Sequence, residues 1–125
     1  MRDSLAIPGA RRSVEEDAKA RSLHALGAFY LRQGFPRQGL SLLLVARDYG
    51  MRTEALDRAI AQAYLLSGAP KKALEILDFL DDGPGGRRFR DGIHLLRSRA
   101  LLALGRVEEA RAVFAMTAAP GEAGP

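Results

Sequence analysis

Apolar positions return along this chain at helical spacing, in short runs that come in pairs. In EALDRAIAQAYLLSG, Ile60, Ala61, Tyr64 and Leu65 fall at i, i+1, i+4 and i+5, one face of a helix. Gly68 follows where the chain must turn through a left-handed conformation that glycine reaches at least cost. Pro70 opens a second run, its missing N–H harmless in a first turn, with Ala73, Ile76, Leu77 and Leu80 along one face. The spacing predicts a helical hairpin over 54–80. Two short amphipathic helices cannot bury both apolar faces against each other, so this hairpin requires neighbours. The flanking sequence has the same grammar. Upstream, Leu26, Gly27 and Tyr30 lead to Gly34, and Pro36 opens the return; downstream, Ser98, Ala100 and Leu101 lead to Gly105, then Ala110 and Phe114.

The pattern predicts six helices in three antiparallel pairs, hairpins at about 14–50, 53–81 and 91–119. Ser13 to Glu16 reads S-x-x-E, a capping box at the start of a helix over 14–33, whose early turns EEDAKAR are polar and solvated. The return helix spans 36–48 and stops at Gly50. Thr53 is the expected N-cap of the third helix, with Glu54 favourable to its dipole. Asp91 is expected to cap a fifth helix at 92–104, and Glu108 and Glu109 fall in the first turn of a sixth at 106–118. Residues 1–12, with Pro8 and Gly9 and no sustained period, read as a flexible arm, and 120–125 (PGEAGP) as a disordered tail.

Composition narrows the class. A chain of 125 residues, 47 % apolar and 27 % charged, suits one soluble domain over 13–119. No cysteine is present, which removes disulfides and thiolate chemistry. No run approaches the ~20 apolar residues of a membrane span, and MRDSLAIPGARRS lacks the unbroken apolar segment of a secretory signal, so the expected location is cytoplasmic. The formal charge is +4, with arginines at Arg2, Arg11, Arg12 and in the run Arg87 to Arg90.

Catalytic grammar is missing. His24 and His94 come with neither cysteines nor an H-E-x-x-H spacing and read as helix-surface residues. Asp81 and Asp82 precede Gly83 and Pro84 as turn formers, without the further ligands of a calcium loop. No phosphate-loop or dinucleotide fingerprint occurs, and Ser41 and Ser98 read as small polar residues packed inside helices. The expectation is no enzyme and no cofactor. The run RRFR reads as a solvated basic loop rather than a nucleic-acid patch.

The turn glycines Gly34, Gly68 and Gly105 recur at intervals of 34 and 37 residues, and a helix–turn–helix unit of about 34 residues is the tetratricopeptide period. The extra residues fit the loop DDGPGGRR. The chain resembles tetratricopeptide repeats from about 20 to 119, most closely in Ile60, Ala61, Tyr64, Gly68, Ala73 and Leu77. It departs from the family pattern at Gly39, where alanine is usual, and at Arg97, where leucine is expected. More narrowly, LLRSRALLALGRVEEARAVF resembles the third unit of the small cytoplasmic chaperones of bacterial type III secretion, the SctY (YscY-like) group before the longer SycD/LcrH group. That resemblance implies a small secreted partner, SctX-like, and delivery to the export-gate protein, SctV-like.

The fold expected is all-α: three stacked helix–turn–helix repeats forming a short right-handed solenoid whose first helices line a concave groove. Carrying over the family's groove positions implies a partner-binding surface of His24, Ala28, Leu31 and Arg32 from the first unit. The second contributes Arg58, Gln62, Leu65 and Leu66, and the third Leu95, Arg99 and Leu102. The alternative for Leu31, Leu65, Leu66 and Leu102 is a place in the core, an equal expectation for some of them. The sixth helix holds Val107, Ala110, Val113, Phe114 and Met116, enough for more than one apolar face, so a partner or a second copy should cover it. A heterodimer with a protein cargo is the favoured expectation. A self-associating adaptor is the alternative, and a nucleic-acid binder using the arginine clusters stands behind both.

Overall fold

The computed structural model describes residues 13–81 and 90–117. They form α1 (Val14–Arg32), α2 (Pro36–Asp48), α3 (Glu54–Leu66), α4 (Pro70–Asp81), α5 (Arg90–Ala103) and α6 (Val107–Thr117). The expected arm at 1–12, the basic residues Arg87 to Phe89 and the tail at 120–125 lie outside the described residues. No helix among the described residues is long and apolar enough to cross a membrane.

Helix starts follow the local chemistry. The Glu16 N–H donates to Ser13 Oγ at 3.0 Å while the Ser13 N–H donates to Glu16 Oε1 at 3.2 Å, closing the capping box. The Leu56 N–H donates to Thr53 Oγ1 at 3.1 Å. The three hairpin turns are alike in detail. Gly34, Gly68 and Gly105 have φ of +88°, +87° and +80°. The N–H just after each glycine donates back to a carbonyl five residues earlier: Phe35 to Tyr30, Ala69 to Tyr64, and Arg106 to Leu101, at 2.8 to 2.9 Å. This is the Schellman arrangement, which satisfies carbonyls that the helix end leaves open. Nothing lies within 4 Å of a Cβ built on Gly68, so the backbone conformation and not lack of space calls for glycine there.

Helices pack in succession as an all-α solenoid. Each hairpin closes on itself, α2 contacts α3, α4 contacts α5, and the first helices touch in series, α1 with α3 and α3 with α5. The core straddles the joints between units. One cluster joins α2 and α3 through Leu43, Ala46, Leu56, Ile60 and Ala63. A second joins α3, α4 and α5 through Ala61, Ala73, Leu77, Leu80, Ile93 and Leu96. A third joins α4, α5 and α6 through Leu74, Ala100, Leu101, Ala110 and Val113. No hairpin owns its core.

Several expectations are corrected. The fifth helix begins at Arg90 rather than 92, so Asp91 lies inside its first turn, where a carboxylate complements the dipole without capping. His94 is not a surface residue: it is 3 % exposed, on the side of α5 facing α4, with Nε2 3.8 Å from Asp81 Oδ1. Ser41 is exposed and donates to the Arg37 carbonyl, whereas Ser98 is buried and donates to the Leu95 carbonyl. Leu26 is 45 % exposed, because Ala20, Leu23, Gly27 and Leu31 turn inward and Leu26 stands a quarter-turn away. Arg97 has local partners: its guanidinium reaches α4, with Nε 3.0 Å from Asp78 and Nη1 3.7 Å from Asp81.

Candidate functional site

The first helices of the second and third units bring together residues far apart in sequence. Between α3 and α5 lies a hollow of about 350 Å³. From α3 come Ala55, Arg58, Ala59 and Gln62; from α5 come Gly92, Leu95, Leu96 and Arg99. The helical period sets this lining, since 55, 58, 59 and 62 follow the i, i+3, i+4, i+7 stripe and 92, 95, 96 and 99 repeat it. Arg58 extends from α3 to α5, its Nη1 3.8 Å from where a Cβ on Gly92 would stand.

Four of the expected groove residues, Arg58, Gln62, Leu95 and Arg99, therefore share one surface. Leu95 and Arg99 also form the edge of a second hollow of about 310 Å³ between α5 and α6, where Leu102 joins them. Leu95 is 44 % and Leu102 57 % exposed. The others lie elsewhere. Leu65 is half-buried and packs against two of the core clusters. Leu31 packs against the cluster joining α2 and α3 and stands 3.2 Å from a Cβ built on Gly39. His24 and Ala28 are half-buried, Arg32 and Leu66 exposed, and none of these four lines either hollow.

The charge of this surface is one-sided. Arg58, Arg99 and Arg111 line the two hollows and no carboxylate does. Of the acidic residues nearby, Glu108 lies 3.9 Å from Arg111 and Glu109 is held by Arg106. Arg106 donates to Glu109 at 2.6 Å, and that hydrogen bond holds the Glu109 carboxyl below the usual range. Burial raises the Asp57 pKa, and the charges of Arg47 and Arg52 oppose the rise. Partial burial lowers the His24 pKa.

Periodicity does not mark Arg111 as a lining residue, and it gives Val107, Ala110 and Phe114 only as an uncovered face. The stripe 107, 110, 111, 114 is visible in the sequence, but its partner α5 is not. Among the described residues no group of three metal-ligating side chains occurs.

No family model matches the chain, and neither the curated proteins nor the solved structures searched contain a match.

Proposed function

We propose that this protein is a non-catalytic helical-repeat binding module, which holds a segment of another protein against the face formed by its first helices. The observation that carries this reading is the hollow shared by Arg58, Gln62, Leu95 and Arg99 from successive units. Apolar floor residues there can bury an apolar side chain, while guanidinium groups engage carboxylates or backbone carbonyls through several donors. Such a surface reads a segment rather than a small reactive molecule.

The setting we propose is type III secretion, with the protein acting in the bacterial cytoplasm as an SctY-like chaperone. It would hold an SctX-like export partner as a heterodimer and present it to an SctV-like export gate. Support comes from the repeat grammar of the third hairpin and from the binding surface that the same hairpin contributes.

A second reading, a self-associating adaptor, draws on a separate observation. Leu26, Phe29 and Phe35 on the first hairpin are each between 45 and 49 % exposed, and the rings of Phe29, Tyr30 and Phe35 meet edge to face.

Affinity capture from the native lysate, run in parallel with the double variant Arg58→Glu, Arg99→Glu, tests the proposal. A small secretion-system protein recovered in equal amount with the parent and absent with the variant is the expected result. Recovery of the protein alone as a dimer from both would discard the cargo reading in favour of self-association.

A further inference from the structure

We infer that the α5–α6 hollow is an anchor site for a bulky apolar side chain of an acidic amphipathic segment, carried by a protein partner. The binding surface would then continue past the first-helix face onto the flank of the last hairpin. This inference rests on the binding-module reading and adds to it both a second subsite and the chemistry of the occupant.

Size and lining favour an apolar side chain. A volume of about 310 Å³ exceeds that of several waters at ~30 Å³ each. The lining is chiefly apolar apart from its two arginines, and the Ser98 hydroxyl donates to the Leu95 carbonyl at 2.9 Å. Four large apolar side chains edge it and remain open to solvent, Leu102 at 57 %, Phe114 at 53 %, Val107 at 45 % and Leu95 at 44 %. Ala110, 3 % exposed, and Ser98, 6 % exposed, make a floor of small residues that leaves the depth free.

Charge then selects among occupants. Arg99 stands on the α5 side and Arg111 on the α6 side. Arg99 has no carboxylate within ion-pair distance among the described residues, and Arg111 reaches only Glu108, at 3.9 Å, with both side chains more than 70 % exposed. A second copy docking by the same face would bring Arg99 and Arg111 of both copies into one interface whose lining holds no carboxylate from either side, since a twofold interface repeats one patch on both sides. A segment with an apolar stripe flanked by glutamates or aspartates meets the apolar floor and both guanidinium groups together.

The probe is a labelled synthetic helix with leucines along one stripe and glutamates on its flanks, alongside the same peptide with lysines in place of the glutamates. Binding to the full chain is read by fluorescence anisotropy. The glutamate peptide is expected to bind and the lysine peptide to fail. Phe114→Ser and Arg111→Glu, both at exposed positions, should each weaken the glutamate peptide by about tenfold or more. Equal binding of the two peptides, or affinity unchanged in both variants, overturns the anchor site. If Arg58→Glu alone removes binding, the peptide sits on the α3–α5 hollow, so the binding-module reading survives while this inference falls. A dimer in sedimentation that Phe114→Ser dissociates, with no peptide bound, assigns the hollow to a second copy and likewise overturns it.

Discussion

Gly39 illustrates how one residue sets the spacing of two helices. A Cβ added there would lie 2.8 Å from the Gly27 carbonyl oxygen, and one added at Gly27 would lie 2.8 Å from Leu43 Cγ. The α1–α2 contact is therefore glycine against glycine, closer than an alanine would allow. Alanine gains about 1 kcal/mol in helix propensity over glycine, but forcing the backbones apart costs about 1–3 kcal/mol. Gly39→Ala is thus expected to lower stability although it introduces the residue usual in the repeats this chain resembles, and urea unfolding measures it. His24 supplies a pH signature. Burial lowers its folded pKa, so the unfolded chain binds the proton more readily and stability falls as pH drops through the ordinary imidazole range. His24→Asn should flatten that part of the profile, seen as a smaller loss of Tm between neutral and mildly acidic buffer than in the parent.

At the scale of elements, caps carry unequal weight depending on what their helix supports. Thr53 caps α3, whose first turn already contributes Leu56, fully buried in the core. Thr53→Ala is expected to cost about 1 kcal/mol of global stability. Ser13 makes the better cap by geometry, with reciprocal bonds to Glu16, yet the first buried residue of α1 is Ala20. Ser13→Ala should therefore fray only the first turns of α1, raising amide exchange there while leaving the unfolding midpoint nearly in place. Between α4 and α5 a different device operates. Arg97 bridges Asp78 and Asp81, and Asp81 also approaches buried His94, so a polar cluster links these two helices.

For the whole molecule, the distribution of the core across joints predicts cooperative behaviour. Leu77 is fully buried in the cluster shared by α3, α4 and α5. Leu77→Ala should cost about 2–5 kcal/mol, shifting the denaturant midpoint while far-UV and near-UV signals still lose structure together. Separate transitions for the two signals would instead mean that a hairpin holds its own core. The same joint between second and third units carries the α3–α5 hollow, so packing defects there should distort the hollow as well as lower stability.

Local chemistry decided much of this protein from the sequence alone. Apolar spacing, the S-x-x-E box, Thr53 and the glycines at 34, 68 and 105 act within a few residues, and they set the helices, turns and hairpin order. Tertiary structure decided which faces meet. Periodicity says that Leu65 and Leu95 each share a stripe with their neighbours, but only the stacking of α3 against α4 and α5 turns Leu65 toward the core and leaves Leu95 lining the hollows. Polar burial followed the same rule: His94 and Arg97 read as surface or mismatch until α4 supplied Asp78 and Asp81. The site is joint in origin, since each helix specifies its own stripe and the crossing of two helices specifies the hollow between them.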